Sequence, residues 1–272
     1  MTTVADVIEV LEARFPPERA EDWDVNGLAV GDPAAPVTRI MFAVDPTLAV
    51  VEEALDLGAD LLVTHHPLML RGVTSVAANT SKGAVVHRLI AGGCALYNAH
   101  TNADVAHGGV ADALAAVLGV VDTAPLVPSA DDATVGAGRI GRLDDPVTLG
   151  EFAHRVAAAL PTTAHGVRIA GDLDAEVTTV AVMGGSGDSF LDAARAQRAD
   201  VYVTADLRHH PASDARDLAS LSDGKPFLVD VAHFASEWSW LVAAAEGVAD
   251  ATGIDTIVSN LNTDPWTARV GA

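Results

Sequence analysis

The sequence has one cysteine, few basic residues and no long apolar run. Cys94 has no second cysteine with which to form an intrachain disulfide, which is typical of a protein in a reducing cytosol. No apolar run approaches the roughly 20 residues that a membrane-spanning helix needs. Residues 1–16 also lack the basic and apolar regions of a secretory signal, so we expect a cytoplasmic protein without membrane contact.

Basic residues are scarce relative to acidic ones. Lys and Arg total 16 and Asp and Glu total 37, which gives a net charge of −21 at pH 7. Such a charge repels other polyanions, which argues against nucleic acid as a partner. Half of the 272 residues are hydrophobic, enough for the core of one large domain or of two ordinary ones.

Strand-like and helix-like segments alternate along the chain, which predicts an α/β fold with a largely parallel sheet. The stretch from Thr123 to Asp145 contains several Pro, Gly and Asp residues and is interpreted as a domain boundary or crossover. After it, residues 178–182 and 199–204 resemble residues 38–42 and 59–64 at one constant offset.

The repeat predicts two related α/β domains that arose by internal duplication, with three-layer character; chance convergence of two βαβ units is the alternative. We place the first domain at residues 1–126 plus 233–272 and the second at residues 127–232.

Three apolar runs end in histidine. His65 and His66 follow one run, His100 follows the next, and His233 follows a third. Two further motif residues are carboxylates that lie four positions after a histidine: Asp104 and Glu237. A single histidine at a strand end is more often structural. Three such strand ends, however, supply the histidine and carboxylate ligands of a two-metal site. Such a site would form at the carboxyl ends of the strands. We expect this site in the cleft between the two domains.

The second half has Ala205-Asp206 where the first half has His65-His66. Asp206, His209 and His210 are candidates to line the cleft, and a solvated loop is the more common place for such residues. Gly184 to Gly187 could hold an anion through backbone N–H groups, although isolated glycine turns are more often structural. We find no Walker-type loop. Three basic residues near the motifs could meet a phosphate, but the sequence does not place them in the cleft: Arg71, Lys82 and Arg208.

Several motifs, in this order, resemble those of the GTP cyclohydrolase I type 2 homologue family, also called Nif-three-like dinuclear-metal hexamer proteins. They are Trp23-Asp24, Gly58 to Pro67, Ala99 to Asp104 with Gly108-Gly109, Thr204 to His210, and Asp230 to Glu237. The resemblance implies two related α/β domains, a toroidal homohexamer and two divalent metal ions per subunit. It also implies the ligands His65, His66, Asp104, His233 and Glu237. Glu237 would bridge the metals, and His100 would contact a metal or support a ligand.

Histidine and carboxylate ligands without a thiolate suit Zn²⁺, Mn²⁺ or Fe²⁺. Two such ions about 3.5–4 Å apart are typical of hydrolases. The family name points to the opening of a purine ring, as in GTP, and hydrolysis of a nucleotide phosphate is the nearest rival reaction. The same ligands would also serve a non-enzymatic hexameric scaffold, a metal store or a regulatory protein, so both classes of function remain open at this point.

Overall fold

The computed structural model describes residues 1–271, which divide into two compact units. The first unit comprises residues 1–107 and 241–263, and the second comprises residues 108–240 and 264–271. The boundaries drawn from the sequence, after residues 126 and 232, lie at other positions and stay a prediction of where the domains end.

Strands and helices alternate through most of the chain, as the sequence predicted. The strands are β1 (Gly27–Val30), β2 (Arg39–Ala43), β3 (Leu61–Thr64), β4 (Ala95–Asn98), β5 (Val121–Pro128), β6 (Gly136–Thr148), β7 (Arg168–Ala170), β8 (Glu176–Ser186), β9 (Val201–Ala205), β10 (Phe227–Val231) and β11 (Asp255–Val258). The helices are α1 (Val4–Arg14), α2 (Leu48–Asp56), α3 (Ser81–Gly92), α4 (Thr101–Val105), α5 (Val110–Val117), α6 (Leu149–Ala159), α7 (Leu191–Ala196), α8 (His209–Ser220) and α9 (His233–Thr252).

Threonine fixes the start of four helices. In each case the threonine hydroxyl accepts a hydrogen bond from a backbone N–H in the first turn, which satisfies a donor that has no partner within the helix. These N-caps are Thr3, Thr47, Thr80 and Thr148. The helices that follow then pack their apolar faces on the sheets.

The first unit is built on a five-stranded sheet in the order β1-β4-β3-β2-β11. The four strands from β4 to β11 are parallel, and β1 is an antiparallel edge strand. All residues of β3 and β4 are buried. The carboxyl ends of these two central strands therefore reach the same edge of the sheet, where sites form in α/β folds.

The second unit is built on a six-stranded sheet in the order β5-β6-β8-β9-β10-β7. Only β8, β9 and β10 are parallel, and the other neighbours pair antiparallel, so the prediction of a largely parallel sheet fails here. Most of the stretch from Thr123 to Asp145, interpreted as a domain boundary or crossover, forms β5 and β6 rather than a loop. β5 is an edge strand, where Pro125 and Pro128 are tolerated since an edge needs fewer N–H donors.

The predicted duplication is confirmed by the strand register. Ile40 pairs with Leu61 across β2 and β3, and Val180 pairs with Val201 across β8 and β9. Both members of the second pair lie 140 positions after those of the first. The two units therefore repeat the same pairing over three successive residue pairs, after which the register of β8 and β9 shifts.

The two units also share a hydrogen-bonded aspartate before the second of these strands. Oδ2 of Asp60 accepts from the backbone N–H groups of Thr38 and Arg39, at 2.7 and 3.1 Å. Oδ2 of Asp200 accepts from those of Thr178 and Thr179, both at 2.8 Å. The equivalent aspartates thus clamp the start of the neighbouring strand in each half.

Within residues 1–271, no helix combines the length and the apolar character needed to cross a bilayer.

Candidate metal centre

The first unit brings three predicted histidines together. His65 and His66 directly follow β3, and His100 lies just beyond β4. One ligand atom of each imidazole lies within 4.8 Å of those of the other two. His65 is buried, and the other two are half-buried. Three imidazoles at this spacing form a group that could hold a metal ion.

The backbone and a neighbouring carboxylate orient the first two rings. Nδ1 of His65 lies 3.0 Å from the carbonyl oxygen of Ala99, and Nδ1 of His66 lies 2.6 Å from Oδ1 of Asp45. Because these oxygens accept hydrogen bonds, Nδ1 carries the hydrogen in each ring. Nε2 is then the atom that can bind an ion. Sequence reasoning missed Asp45, and its position just beyond the end of β2 was the available signal.

Asp24 orients the third ring. Its Oδ1 lies 2.7 Å from Nδ1 of His100, and its Oδ2 accepts from the N–H and hydroxyl of Thr101 at 3.0 and 2.5 Å. Burial of the Asp24 side chain acts to raise its pKa, but hydrogen bonds from His100 and Thr101 outweigh burial and hold the pKa well below its usual range. Asp24 is therefore an ionised acceptor, and Nε2 of His100 is again the atom that could bind an ion.

Asp104 lies on α4, as the sequence spacing predicted, but it faces a different histidine. Its Oδ1 lies 3.6 Å from Nε2 of His65. His100 occupies the non-helical N-cap position of α4, so the four-residue spacing does not align Asp104 with the His100 ring. The carboxylate is partly exposed and adds an oxygen donor to the histidine group.

In the second unit, His233 and Glu237 lie in the first turns of α9. Nε2 of His233 lies 3.0 Å from Oε1 of Glu237, one helical turn later. Nδ1 of His233 lies 2.8 Å from Oδ2 of Asp206, and that hydrogen bond lowers the pKa of Asp206. Asp206 is thus a direct contact of a predicted ligand. It adopts a left-handed backbone conformation at φ +55°, which is uncommon for a residue other than glycine.

His233 and its two carboxylates are strongly coupled. Burial acts to lower the pKa of His233, but the charge of Glu237 and hydrogen bonds to Asp206 and Glu237 raise the pKa to about 11. The negative environment that favours a proton on this ring favours a divalent cation in the same way. A metal ion at Nε2 must therefore displace the proton.

The glycine-rich segment at the end of β8 packs against this group. A Cβ on Gly185 would lie 2.5 Å from Oε1 of Glu237, and the residue has φ +65°. The Gly185 N–H donates to Oγ of Ser236 at 2.8 Å, and the Gly187 N–H donates to the carbonyl of Ala205 at 3.4 Å. These contacts support the structural interpretation of residues 184–187 rather than an anion-binding one.

The remaining candidates are exposed. His209 and His210 begin α8 with ring centroids 5.2 Å apart. Arg71 and Lys82 are exposed in the first unit, and Arg208 pairs with Asp188 in the second. Among residues 1–271, none of these five residues belongs to a group of side chains that could hold a metal ion.

The donor set fits a divalent metal of borderline hardness. The candidate ligands are imidazole nitrogens and carboxylate oxygens, which suit Zn²⁺, Mn²⁺ or Fe²⁺. Cys94 does not contribute, because burial raises the pKa of its thiol to about 12 and it lies within the apolar core of the first unit. The structure thus shows His and carboxylate groups that could hold a metal ion.

Comparison with known proteins gives consistent matches over the whole chain. The family model described as Duf34/NIF3 (NGG1p interacting factor 3) matches residues 2–265. A GTP cyclohydrolase 1 type 2 homolog of Streptomyces coelicolor is 51% identical, over 100% of this chain and 96% of that protein. A homolog of the same name from Mycobacterium tuberculosis is 36% identical, over 97% of this chain and 96% of that protein. The crystal structure of a Bacillus cereus protein related to NIF3 superposes with a TM-score of 0.89 at 26% identity, covering 97% of this chain and 98% of that one.

Proposed function

Since this chain belongs to the Duf34/NIF3 family, we propose that it binds two divalent metal ions and hydrolyses a nucleotide or purine-like substrate. The observation that carries the proposal is the orientation of four imidazoles. Each has Nδ1 held by a carbonyl or carboxylate oxygen, so that Nε2 is the metal-binding atom.

We assign five ligands to the metal pair and a supporting role to the sixth residue. The ligands are His65, His66, Asp104, His233 and Glu237, with Glu237 as the bridge, and His100 either binds a metal or supports the other imidazoles. The assignment of all five to one dinuclear centre rests on the resemblance to the family and on the shared donor chemistry of the two groups.

When bound, two divalent ions supply Lewis acidity that activates water and stabilises negative charge on oxygen. The chain's own residues prepare for this chemistry. Asp24, Asp45 and Asp206 hold three imidazoles in one tautomer, and Gly185 lets the backbone approach Glu237 closely. The name of the related Streptomyces protein supports a purine nucleotide as the first substrate to test.

The first experiment is elemental mass spectrometry on protein purified without chelator, together with its mass in solution. We expect two metal ions per chain and a particle of hexamer size. Electron paramagnetic resonance of the Mn²⁺-loaded protein should then show a spin-coupled pair. Two uncoupled signals would contradict one dinuclear centre, and absence of metal after titration would overturn the proposal.

Glu237→Ala provides a matched test of the bridge, because it should lose at least one metal while the circular dichroism spectrum stays unchanged. A nucleotide hydrolysis screen with the metal-loaded protein then separates the two classes of function. Turnover supports the hydrolase. Two bound metals without turnover of nucleoside triphosphates, diphosphates or cyclic nucleotides would favour a non-enzymatic hexameric scaffold, metal store or regulator. A cytoplasmic homohexamer is part of the same proposal.

A further inference from the structure

Trp23 is exposed beside the histidine group of the first unit. The residue exposes 57% of its surface, and its ring centroid lies 5.9 Å from that of His100 with the two planes at 80°. A tryptophan ring left in water forgoes the stabilisation that burial of its large apolar surface would give. Its place next to a candidate metal ligand points to a contact with something outside the core.

The residues that follow Trp23 are hydrogen-bonded to the region around the end of β4. The next residue, Asp24, has a fully buried side chain that binds Nδ1 of His100 at 2.7 Å and the following backbone N–H at 3.0 Å. One residue further, the carbonyl of Val25 accepts from Nδ2 of Asn98 at 2.7 Å. The exposed indole therefore belongs to a segment that is hydrogen-bonded on its C-terminal side. It is an aromatic face whose backbone is fixed to the same strand end that delivers a metal ligand.

The charges around Trp23 select what can lie on it. Its near neighbours in the chain, Glu21, Asp22 and Asp24, are all acidic. Glu21 and Asp22 are exposed, so they repel phosphate groups and leave the neutral aromatic face as the attractive feature. Aromatic side chains stack on planar heterocycles because every such ring has a π-face.

We propose that Trp23 is the stacking platform for the planar heterocyclic ring of the substrate, and that the ring rather than a phosphate provides recognition at this position. The inference rests on the proposed function, since it takes the His100 group as part of the reaction site. The substrate would thus contain a nucleobase-type ring, and Trp23 would be a specificity-determining residue that favours such rings.

Equilibrium dialysis of the metal-loaded full chain tests this inference. The probes are guanosine, adenosine and cytidine, with ribose 5-phosphate as the ring-free control. Trp23→Ala should weaken nucleoside binding about 10- to 100-fold, in line with the loss of one base–aromatic stack. Trp23→Phe, which keeps a smaller ring, should retain part of the affinity. Trp266→Ala is the matched control, because Trp266 is 68% exposed and lies in the second unit.

Metal content and mass in solution are measured for every variant. Unchanged nucleoside affinity in Trp23→Ala would overturn the stacking role alone and leave the proposed function standing. A change of oligomer mass in Trp23→Ala without a change in affinity per chain would make Trp23 an interface residue and also overturn the inference. Failure of the metal-loaded wild type to bind any nucleoside would overturn the purine-like substrate itself, and the stacking role with it.

Discussion

The Nδ1 atom of His66 lies 2.6 Å from Oδ1 of Asp45, which precedes it by 21 positions and follows the end of the neighbouring strand β2. In the same way, Nδ1 of His100 is hydrogen-bonded to the carboxylate of Asp24, and Nδ1 of His233 to that of Asp206. A carboxylate behind an imidazole fixes its tautomer and raises the basicity of the opposite nitrogen. If these histidines bind a metal as we propose, the carboxylates would set how tightly they do so, although none is an assigned ligand.

Asp45→Asn should weaken metal binding about 10- to 100-fold while the fold is kept, because the amide can still accept a hydrogen bond but carries no charge. Competition with a chromophoric chelator measures the affinity. Asp56→Asn is the control, since Asp56 is exposed at the end of α2. Equal affinities in wild type and Asp45→Asn would show that Asp45 does not tune the site.

Gly185→Ala should both destabilise the fold and remove metal from the second group. The residue has φ +65°, and a Cβ would lie 2.5 Å from Oε1 of Glu237. Gly224→Ala is a matched control, because Gly224 has φ +85° but a Cβ there would have no atom within 4 Å. We expect Gly224→Ala to cost about 1 kcal/mol of unfolding free energy and to keep its metal. Denaturant unfolding and elemental analysis measure both effects, and metal retention in Gly185→Ala would refute the close-approach role.

Metal binding should release about one proton from His233 at neutral pH. The pKa of this imidazole is raised to about 11, so the metal-free ring is protonated, whereas a ligand must be neutral. Isothermal titration in buffers of different ionisation enthalpy gives the number of protons released. His209→Asn should behave as wild type, because His209 is exposed on α8. An identical proton count in wild type and His233→Asn would contradict the prediction.

The same pKa gives a pH dependence to the stability of the metal-free protein. Because the folded pKa lies above the ordinary value of about 6.5, the contribution of His233 is complete below pH about 6.5 and is lost as the pH rises towards about 11. The Tm of chelator-treated wild type should therefore fall relative to that of His233→Asn across this window. A constant difference in Tm between pH 6 and 10 would exclude this linkage.

Asp200→Ala should destabilise the second unit by about 1–3 kcal/mol, because it leaves the N–H groups of Thr178 and Thr179 without their acceptor. Burial acts to raise the pKa of Asp200, but hydrogen bonds from Lys225 and the two N–H groups outweigh it and lower the pKa. This contribution is therefore present above pH about 4 and is lost as the pH falls through the lowered pKa. Asp214→Ala is the exposed control. Denaturant unfolding at pH 7 and pH 3 gives the free energy of unfolding of each variant. Equal values for the two variants at pH 7 would refute the role of Asp200 in holding the start of β8.

The local sequence pattern was enough to predict the histidines at the strand ends and the pairing of His233 with Glu237. His65 and His66 follow a buried run, and the four-residue spacing on α9 places Glu237 Oε1 3.0 Å from His233. The partners of the imidazoles could not be predicted in this way, because Asp45 and Asp24 reach their histidines across 21 and 76 residues of chain. Such contacts depend on which strands become neighbours, and a single sequence does not state this.

The hairpin of β5 and β6 was missed for a different reason. Proline and glycine in this stretch are typical of loops, and only the position of β5 at a sheet edge makes Pro125 and Pro128 compatible with a strand. Whether a strand lies at the edge or in the centre of a sheet is decided only when the sheet assembles. The repeat at residues 38–64 and 178–204 could be recognised because both copies have the same spacing in sequence and share the register of their first three strand pairs.

The duplication also shows how one backbone position can change its chemical task. His66 and Asp206 are separated by the same 140 residues that relate the paired strands, and each follows the second strand of its repeat. In one copy the position offers an imidazole for an ion, with an aspartate behind it. In the other it offers the aspartate, and the imidazole in front of it comes from His233. The same position of the duplicated turn thus carries the imidazole in one copy and, in the other, the carboxylate that supports an imidazole.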